Sequence, residues 1–338
     1  MSDFLKQLEK KVKQQLISQR VGFLLGAGSS YLNNKGYPLA IELWSLISEH
    51  VPEDERADIQ NKIDEGAGGL EQALDLLDNG GVNETPHRHS VTKAIAEHFR
   101  TLKPPLDIHS EFLSRLSKRT EPIVPIFSLN YDPLLERAAE SKMIHLIDGF
   151  QGYEYAYFAP NVFQKRVGAV QKGYRGLQLR LDTGIIHLFK LHGSIGWYER
   201  SPNDIRRCGF SSEIPSGTRR LMIPPQYRKA TDTMTLPYSS LWSEFRGMLR
   251  QGPFLINRLV SIGYGMCDEH VNSVIENGLA RTDFTLMIFA LELENEAFQR
   301  WSSKKNTIIV TNSRCFFDGE TGPGHPDLWD FEKLSQEV

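Results

Sequence analysis

Val21-Gly22-Phe23-Leu24-Leu25-Gly26-Ala27-Gly28-Ser29-Ser30 is a short apolar run that breaks into a glycine-rich turn. Val21–Leu25 is too short for a typical helix and ends in small, polar residues, which predicts a buried strand. Glycines placed directly after it let the backbone turn sharply and approach a ligand. Amides at the start of a following helix can then face phosphate oxygens. Tyr31 stands where a G-x-G-x-x-G pattern would have its third glycine. Taken alone, the turn also describes a strand-to-helix connection that holds no ligand.

Similar runs recur along the chain at Ile123–Leu129, Ile185–Leu191, Leu259–Ile262, Phe284–Leu291 and Thr307–Thr311. Helical patterns lie between them at Glu42–His50, Leu70–Leu77, Val91–Arg100, Ser110–Lys118, Pro133–Lys142, Leu241–Arg250 and Glu269–Leu279. Strands separated by helices predict an α/β fold of Rossmann type, with a doubly wound parallel sheet. Residues 51–105, 149–182 and 199–237 interrupt the alternation with Gly, Pro, Tyr or charge. They read as an inserted helical subdomain and loops over one end of the sheet. With no repeat and no clear linker, residues 1–338 read as one domain.

Composition narrows the function. The 39 basic and 42 acidic residues leave a formal charge of -3 without a long run of either sign, so nothing here serves as a track for nucleic acid. The cluster Arg206, Arg207, Arg219 and Arg220 reads as solvated loop. Cys208, Cys267 and Cys315 are widely spaced and form no C-x-x-C pair, which speaks against a disulfide framework and a four-cysteine zinc site and fits a reducing cytoplasm. His87, His89 and His98 lack metal-ligand spacing and read as exposed histidines around a helix start, so no metal ligands are expected. The N-terminal stretch, with Phe4, Leu5, Leu8, Val12 and Leu16 at helical spacing, reads as an amphipathic helix rather than a signal sequence. No apolar run approaches the roughly 20 residues of a membrane span. Trp197, Trp242, Trp301 and Trp329 read as anchors of the core or cap.

Polar chemistry gathers where the apolar runs stop. Ser128-Leu129-Asn130-Tyr131-Asp132-Pro133 closes the second run, and Asp132 before Pro133 reads as a helix N-cap with proline at the first helical position. Asn130 has no such capping role and is well placed to bond a sugar or position a water. The third run ends in Lys190-Leu191-His192-Gly193-Ser194, and the fourth in Gly263-Tyr264-Gly265-Met266-Cys267-Asp268, where Asp268 either caps a helix or meets a ribose hydroxyl. Ligands of open α/β sheets bind outside the carboxyl ends of the strands, so one shared crevice accounts for all four motifs.

In that order, Gly26-Ala27-Gly28-Ser29, Asn130-Tyr131-Asp132, Lys190-Leu191-His192-Gly193-Ser194 and Gly263-Tyr264-Gly265 with Asp268 resemble the sirtuin-like domains of bacterial anti-phage defence proteins. The resemblance runs from about residue 15 to about residue 282. It implies an NAD site in which the glycine turn holds the dinucleotide phosphates and NAD is cleaved to nicotinamide and ADP-ribose, depleting the infected cell. It also implies gating, by a homo-oligomer or by a second protein such as a hexameric ATPase of the DNA-translocase type. Classical sirtuin deacylases carry two zinc-binding C-x-x-C pairs, which are missing here, and Gly36-Tyr37-Pro38-Leu39 lacks the Phe-Arg that follows in that class. Water is therefore the expected acceptor, with NAD as substrate and no zinc.

The expected catalytic pair is Asn130, orienting ribose and water, and His192, contacting the ribose and taking a proton as general base. Expected to bind the dinucleotide are Gly26, Ala27, Gly28, Ser29, Asp132, Gly193, Ser194, Gly263, Tyr264 and Asp268. Three other readings stay open. A dehydrogenase is suggested by Tyr31-x-x-x-Lys35, but that pair lies directly after the glycine turn, far upstream of where such chemistry belongs. The others are a module that binds NAD or ADP-ribose without turnover, and an ADP-ribosyl transferase.

Overall fold

The computed structural model describes residues 2–78, 86–173, 176–223, 234–252 and 254–338. Its centre is a nine-stranded sheet in the order Glu320–Pro323, Arg314–Phe317, Thr307–Val310, Thr285–Phe289, Arg258–Ile262, Val21–Leu25, Ile123–Ser128, Ile185–Lys190, Leu146–Ile147. Pairing is parallel from Thr307–Val310 to Leu146–Ile147, and the first two strands add an antiparallel edge.

Parallel strands buried on both faces read as continuous apolar runs because alternate side chains enter different cores. Phe23 and Leu25 join one apolar cluster and Leu24 the other, and Ile126 and Phe127, Leu188 and Phe189, and Met287 and Leu286 divide in the same way. The helices Asp3–Leu16, Pro86–Thr101, Asp107–Leu116 and Leu134–Ser141 cover the first face, and Tyr238–Arg250, Glu269–Leu279 and Asn295–Ser302 the second. On Asp3–Leu16 the spacing seen in sequence buries Leu5, Leu8, Val12 and Leu16, each burial contributing about 1.5–3 kcal/mol. Ser2 starts this helix by accepting the Leu5 amide at 3.3 Å.

The chain enters the sheet at Val21–Leu25 and moves to one side through Ile123–Ser128 and Ile185–Lys190. It returns on the other side at Arg258–Ile262 and continues outward. The reversal therefore falls between Val21–Leu25 and Arg258–Ile262, where such sheets open a crevice.

Two of the three insertions differ from the expected helices and loops. Residues 51–105 are helical, with Glu53–Asp64, Leu70–Leu77 and Pro86–Thr101, and residues 79–85 lie outside the described residues. Residues 149–182 and 199–237 are not chiefly loops. They contribute to a second, antiparallel sheet in the order Arg219–Met222, Gly193–Ser201, Asp204–Arg207, Ala156–Phe158, Phe150–Gln151, with residues 224–233 again outside the described set. The arginine cluster is corrected with them, because its four members lie on strands of this sheet and are paired with carboxylates. Arg206 pairs with Asp204 and Arg219 with Glu199, both at 2.6 Å, Arg207 pairs with Asp148, and buried Arg220 donates to Glu213 and to the Ile195 carbonyl. A separate hairpin, Gly168–Gly173 with Gly176–Leu181, puts Val170, Leu177, Leu179 and Leu181 on one exposed face. Among the described residues no helix is long and apolar enough to cross a membrane.

Candidate active site

The loops at the carboxyl ends of the central strands start at a common level. In each, the first residue past the strand donates its amide to the last carbonyl of the neighbouring strand. Gly263 bonds Phe289 at 2.8 Å, and Gly26 bonds Ile262, Leu129 bonds Leu25 and Leu191 bonds Ser128, each at 2.9 Å. The ladder thus continues into the loops that carry the polar motifs, so their backbones inherit the rigidity of the core.

Two of these loops interlock. A Cβ on Gly26 would lie 2.6 Å from Tyr264 Cα, and one on Gly28 would lie 2.9 Å from Gly263 Cα. Gly263 has φ +63°, and a side chain there would strike the Ser29 amide. The Gly28 amide donates to the Gly263 carbonyl at 2.8 Å, and the Ser29 amide and hydroxyl both donate to the Gly26 carbonyl, at 3.0 and 2.7 Å. Gly26, Gly28 and Ser29 therefore spend their amides within the protein, and the glycines serve turn-on-turn packing. The helix that follows, Ala27–Tyr31, has five residues and ends at Leu32 in the left-handed region.

Asn130 is tied to this interlock. Its side-chain amide donates to the Gly26 carbonyl and to Ser30 Oγ, both at 2.9 Å, and to Ser29 Oγ at 3.3 Å, while its backbone amide donates to Ser128 Oγ at 3.1 Å. The sequence offered no structural explanation for Asn130, and the structure supplies one: it joins the second strand's loop to the glycine turn. Asp132 Oδ1 accepts the Leu134 amide at 2.9 Å, so its capping role is present, but the helix Leu134–Ser141 begins after Pro133 rather than with it. Behind it, the buried Lys190 ammonium donates to the Asp132 carbonyl and meets Glu136 at 3.1 Å.

His192 and Asp268 meet from separate strands. His192 Nε2 lies 3.4 Å from Asp268 Oδ2, with the side chains 3% and 9% exposed. Of the two roles the sequence offered Asp268, the structure shows the helix cap: its Oδ1 caps Glu269–Leu279 by accepting the His270 amide at 3.0 Å, while its other oxygen faces the imidazole, a contact the sequence did not suggest. Trp242 lies beside the ring at 6.4 Å between centroids and donates its indole N–H to the Leu191 carbonyl at 3.1 Å. The Tyr264 hydroxyl fixes the loop between, accepting the Asp268 amide at 2.8 Å and lying 3.1 Å from Asn272 Oδ1. Burial first, then the charge of Asp268, holds that phenol well above the ordinary tyrosine range, so it stays protonated.

These loops form one wall of a cavity of about 330 Å3, at the lower end of the roughly 300–1,000 Å3 common for small-molecule sites. Gly26, Ala27, Asn130, Asp132, His192, Gly263, Tyr264 and Asp268 line it. Tyr37, Pro38, Leu43, Glu71 and Phe99 also line it, and the sequence assigned none of them to the site. A second cleft of about 150 Å3 touches the other side of Gly28 and Gly263 and is bounded by Leu291 and Trp329.

A family model described as a SIR2-like domain matches residues 124–310, more than half of the chain. The chain belongs to the SIR2-like family. No curated protein matches the sequence. Among solved structures, the SIR2-like chain is similar to one described as the structural basis of sirtuin substrate affinity, at 13% identity over 100% of this chain and 98% of that one, with a TM-score of 0.43. It is also similar to a Sir2 mutant with a p53 peptide and NAD, at 10% identity over 98% and 96%, TM-score 0.43. A mutant of Sir2 homologues in complex with 2'-O-acetyl ADP ribose gives 14% identity over 100% and 97%, TM-score 0.47.

The matched SIR2-like span contains Asn130, His192 and Asp268, whereas the glycine turn precedes it. Four residues expected to bind the dinucleotide do not line the 330 Å3 cavity. Gly28 borders the second cleft, and Ser29 is buried beneath the turn. Gly193 takes φ +80° where a side chain would strike the Leu221 carbonyl, and Ser194 is buried with its hydroxyl donating to the Tyr131 carbonyl at 3.1 Å. The strand Gly193–Ser201 begins directly after His192, so Gly193 and Ser194 belong to the second sheet of the SIR2-like domain. Among the described residues, no group of three or more His, Cys, Asp or Glu is placed to hold a metal.

Proposed function

We propose that this SIR2-like chain is an NAD hydrolase that breaks the bond between nicotinamide and ribose C1. The observation that carries this reading is the convergence of Asn130 and the His192–Asp268 pair on one cavity at the reversal of the sheet. NAD and water give nicotinamide, ADP-ribose and a proton. The leaving nicotinamide departs with the electron pair of the broken bond. It is already cationic before departure, so no general acid is required. The protein's work is to hold ribose and water in line as oxocarbenium character develops, and to accept the proton that water releases.

In this reading Asn130 places its amide beside the ribose, His192 takes the proton, and Asp268 orients the imidazole as a positioning residue. Ala27 and Ser30, which line the cavity at the glycine turn, replace Gly28 and Ser29 as the nearest groups to phosphate. The cleft on the far side of Gly28 and Gly263 offers room for the adenosine half, so that the dinucleotide straddles the interlocked turns. Water is the acceptor because the cysteine pairs of the zinc-containing deacylases are missing from the sequence. The biological role proposed is NAD depletion in anti-phage defence in the cytoplasm, gated by self-assembly or by a partner ATPase of the hexameric DNA-translocase type.

The test is nicotinamide release by purified protein, alone and with such a partner, paired with thermal melts. His192→Ala should stay folded and lose roughly 100-fold or more in turnover, the scale of a positioned catalytic group. Asn130→Ala should lose as much, and should also melt lower because it releases three hydrogen bonds at the glycine turn. Near-normal turnover by folded His192→Ala would sink the hydrolase reading and favour binding without turnover.

A further inference from the structure

The lining of the cavity contains an unusual polar group. Tyr37 is 2% exposed and lines the cavity, yet its hydroxyl has no hydrogen-bond partner among the described residues. Buried hydroxyls are nearly always paired, and one left without a partner is costly unless something outside the protein completes it.

The position is built rather than incidental. Leu32, Asn33 and Asn34 all take left-handed φ, of 51°, 53° and 67°, which folds the chain back onto the short helix after the glycine turn. Gly36 then packs where a side chain would strike the Ser30 carbonyl, and the Tyr37 amide donates to that same carbonyl at 2.8 Å. The Tyr37 ring lies 4.7 Å from Phe99 between centroids, with an interplanar angle of 39°, and Pro38, Ala40 and Leu43 line the cavity with them. An aromatic, mostly apolar recess with one buried hydroxyl suits a flat ring that carries one hydrogen-bonding substituent.

Burial first, then the charge of Asp132, raises the Tyr37 phenol above the ordinary tyrosine range, so the group is a donor in search of an acceptor. The nicotinamide of NAD is a flat ring whose carboxamide supplies one. We propose that the Tyr37 hydroxyl is a specificity-determining donor to the carboxamide carbonyl of the nicotinamide ring, an inference that rests on the NAD reading above.

Three small rings separate the contacts. Nicotinamide offers a carbonyl and an amide N–H, thionicotinamide replaces the carbonyl with a weakly accepting sulfur, and 3-acetylpyridine keeps the carbonyl but loses the N–H. Their dissociation constants are measured by ligand-observed NMR on the full chain and on Tyr37→Phe, with thermal melts of the unliganded proteins. The wild type should bind nicotinamide about 3- to 10-fold more tightly than thionicotinamide, the scale of one neutral hydrogen bond. Tyr37→Phe should lose that preference by weakening nicotinamide and 3-acetylpyridine equally, while its melting temperature holds or rises because no protein partner is lost. A preference that survives in Tyr37→Phe, or a melting temperature that falls by several degrees, overturns the proposal and leaves the NAD reading standing. A wild type that binds none of the three rings overturns both.

Discussion

The two walls of the cavity are held by different means. On the sheet side, Asn130, His192 and Asp268 sit on loops whose first amides continue the β-ladder, and their side chains are bonded to protein. On the other side, Tyr37 follows a tight loop, Leu43 sits on the helix Ala40–Ile47 and Phe99 on the inserted helix Pro86–Thr101, and they present rings and methyl groups to the space. The first wall is over-determined, which suits the bond breaking proposed for it, because small displacements of reacting groups are costly. The second is mostly apolar, with Glu71 and a Tyr37 hydroxyl that has no hydrogen-bond partner among the described residues. In the proposed function, chemistry and selection therefore fall to different parts of the fold.

The comparison is tested most severely on the sheet wall. If Asn130 and His192 act as one unit, the double Ala variant should be little slower than the worse single one, at a loss of roughly 100-fold or more in nicotinamide release. Multiplication of the two effects would show that they act independently and that the wall is not a unit. A smaller effect is expected from Asp268→Asn. Asparagine retains the helix cap, so the melting temperature should hold, while removal of the charge facing His192 should slow turnover by about 10-fold. An unchanged rate would demote that carboxylate to a cap.

Acid separates both walls from the core behind them. Burial lowers His109 to about 3, and burial, with Arg166 and His145 adding, lowers His187 to about 4. In the unfolded chain both titrate near 6.5. Below that value the unfolded state binds protons that the folded state refuses, so the stability present above pH 6.5 is lost as pH falls toward those lower values. Each histidine contributes a slope of at most about 1.4 kcal/mol per pH unit. Denaturant melts of His109→Gln between pH 7 and pH 5 should show a shallower decline than the wild type. An identical slope would locate the acid sensitivity elsewhere.

Much of the sheet wall was legible in sequence, because a strand buried on both faces is an unbroken apolar run and polar residues at its end stand out. Val21–Leu25, for example, begins and ends where its side chains do. The second sheet was not legible, since Gly193–Ser201 mixes glycine, aromatic and charged residues and its first two positions look like part of a ligand loop. The other wall was hidden for the opposite reason. Tyr37, Leu43 and Phe99 look like any other core residues, and only the tertiary fold turns them toward a cavity. Asn130 shows a third case: its position at a strand end was readable, but its bonds to a turn more than a hundred residues earlier were not.

The continuation of the ladder past the strand ends has a consequence for time as well as geometry. Glycine-rich loops ordinarily open and close far faster than the sheets they connect. Here the amides of Gly26, Leu129, Leu191 and Gly263 are rungs of the central sheet, each flanked by another. Their hydrogens should exchange with solvent more slowly than those of free loop amides, because freeing one rung draws on the pairing of two core strands, and native-state hydrogen exchange measures this. If they do, the turns that border the cavity keep the slow clock of the sheet, and a ligand arriving there meets a surface already still.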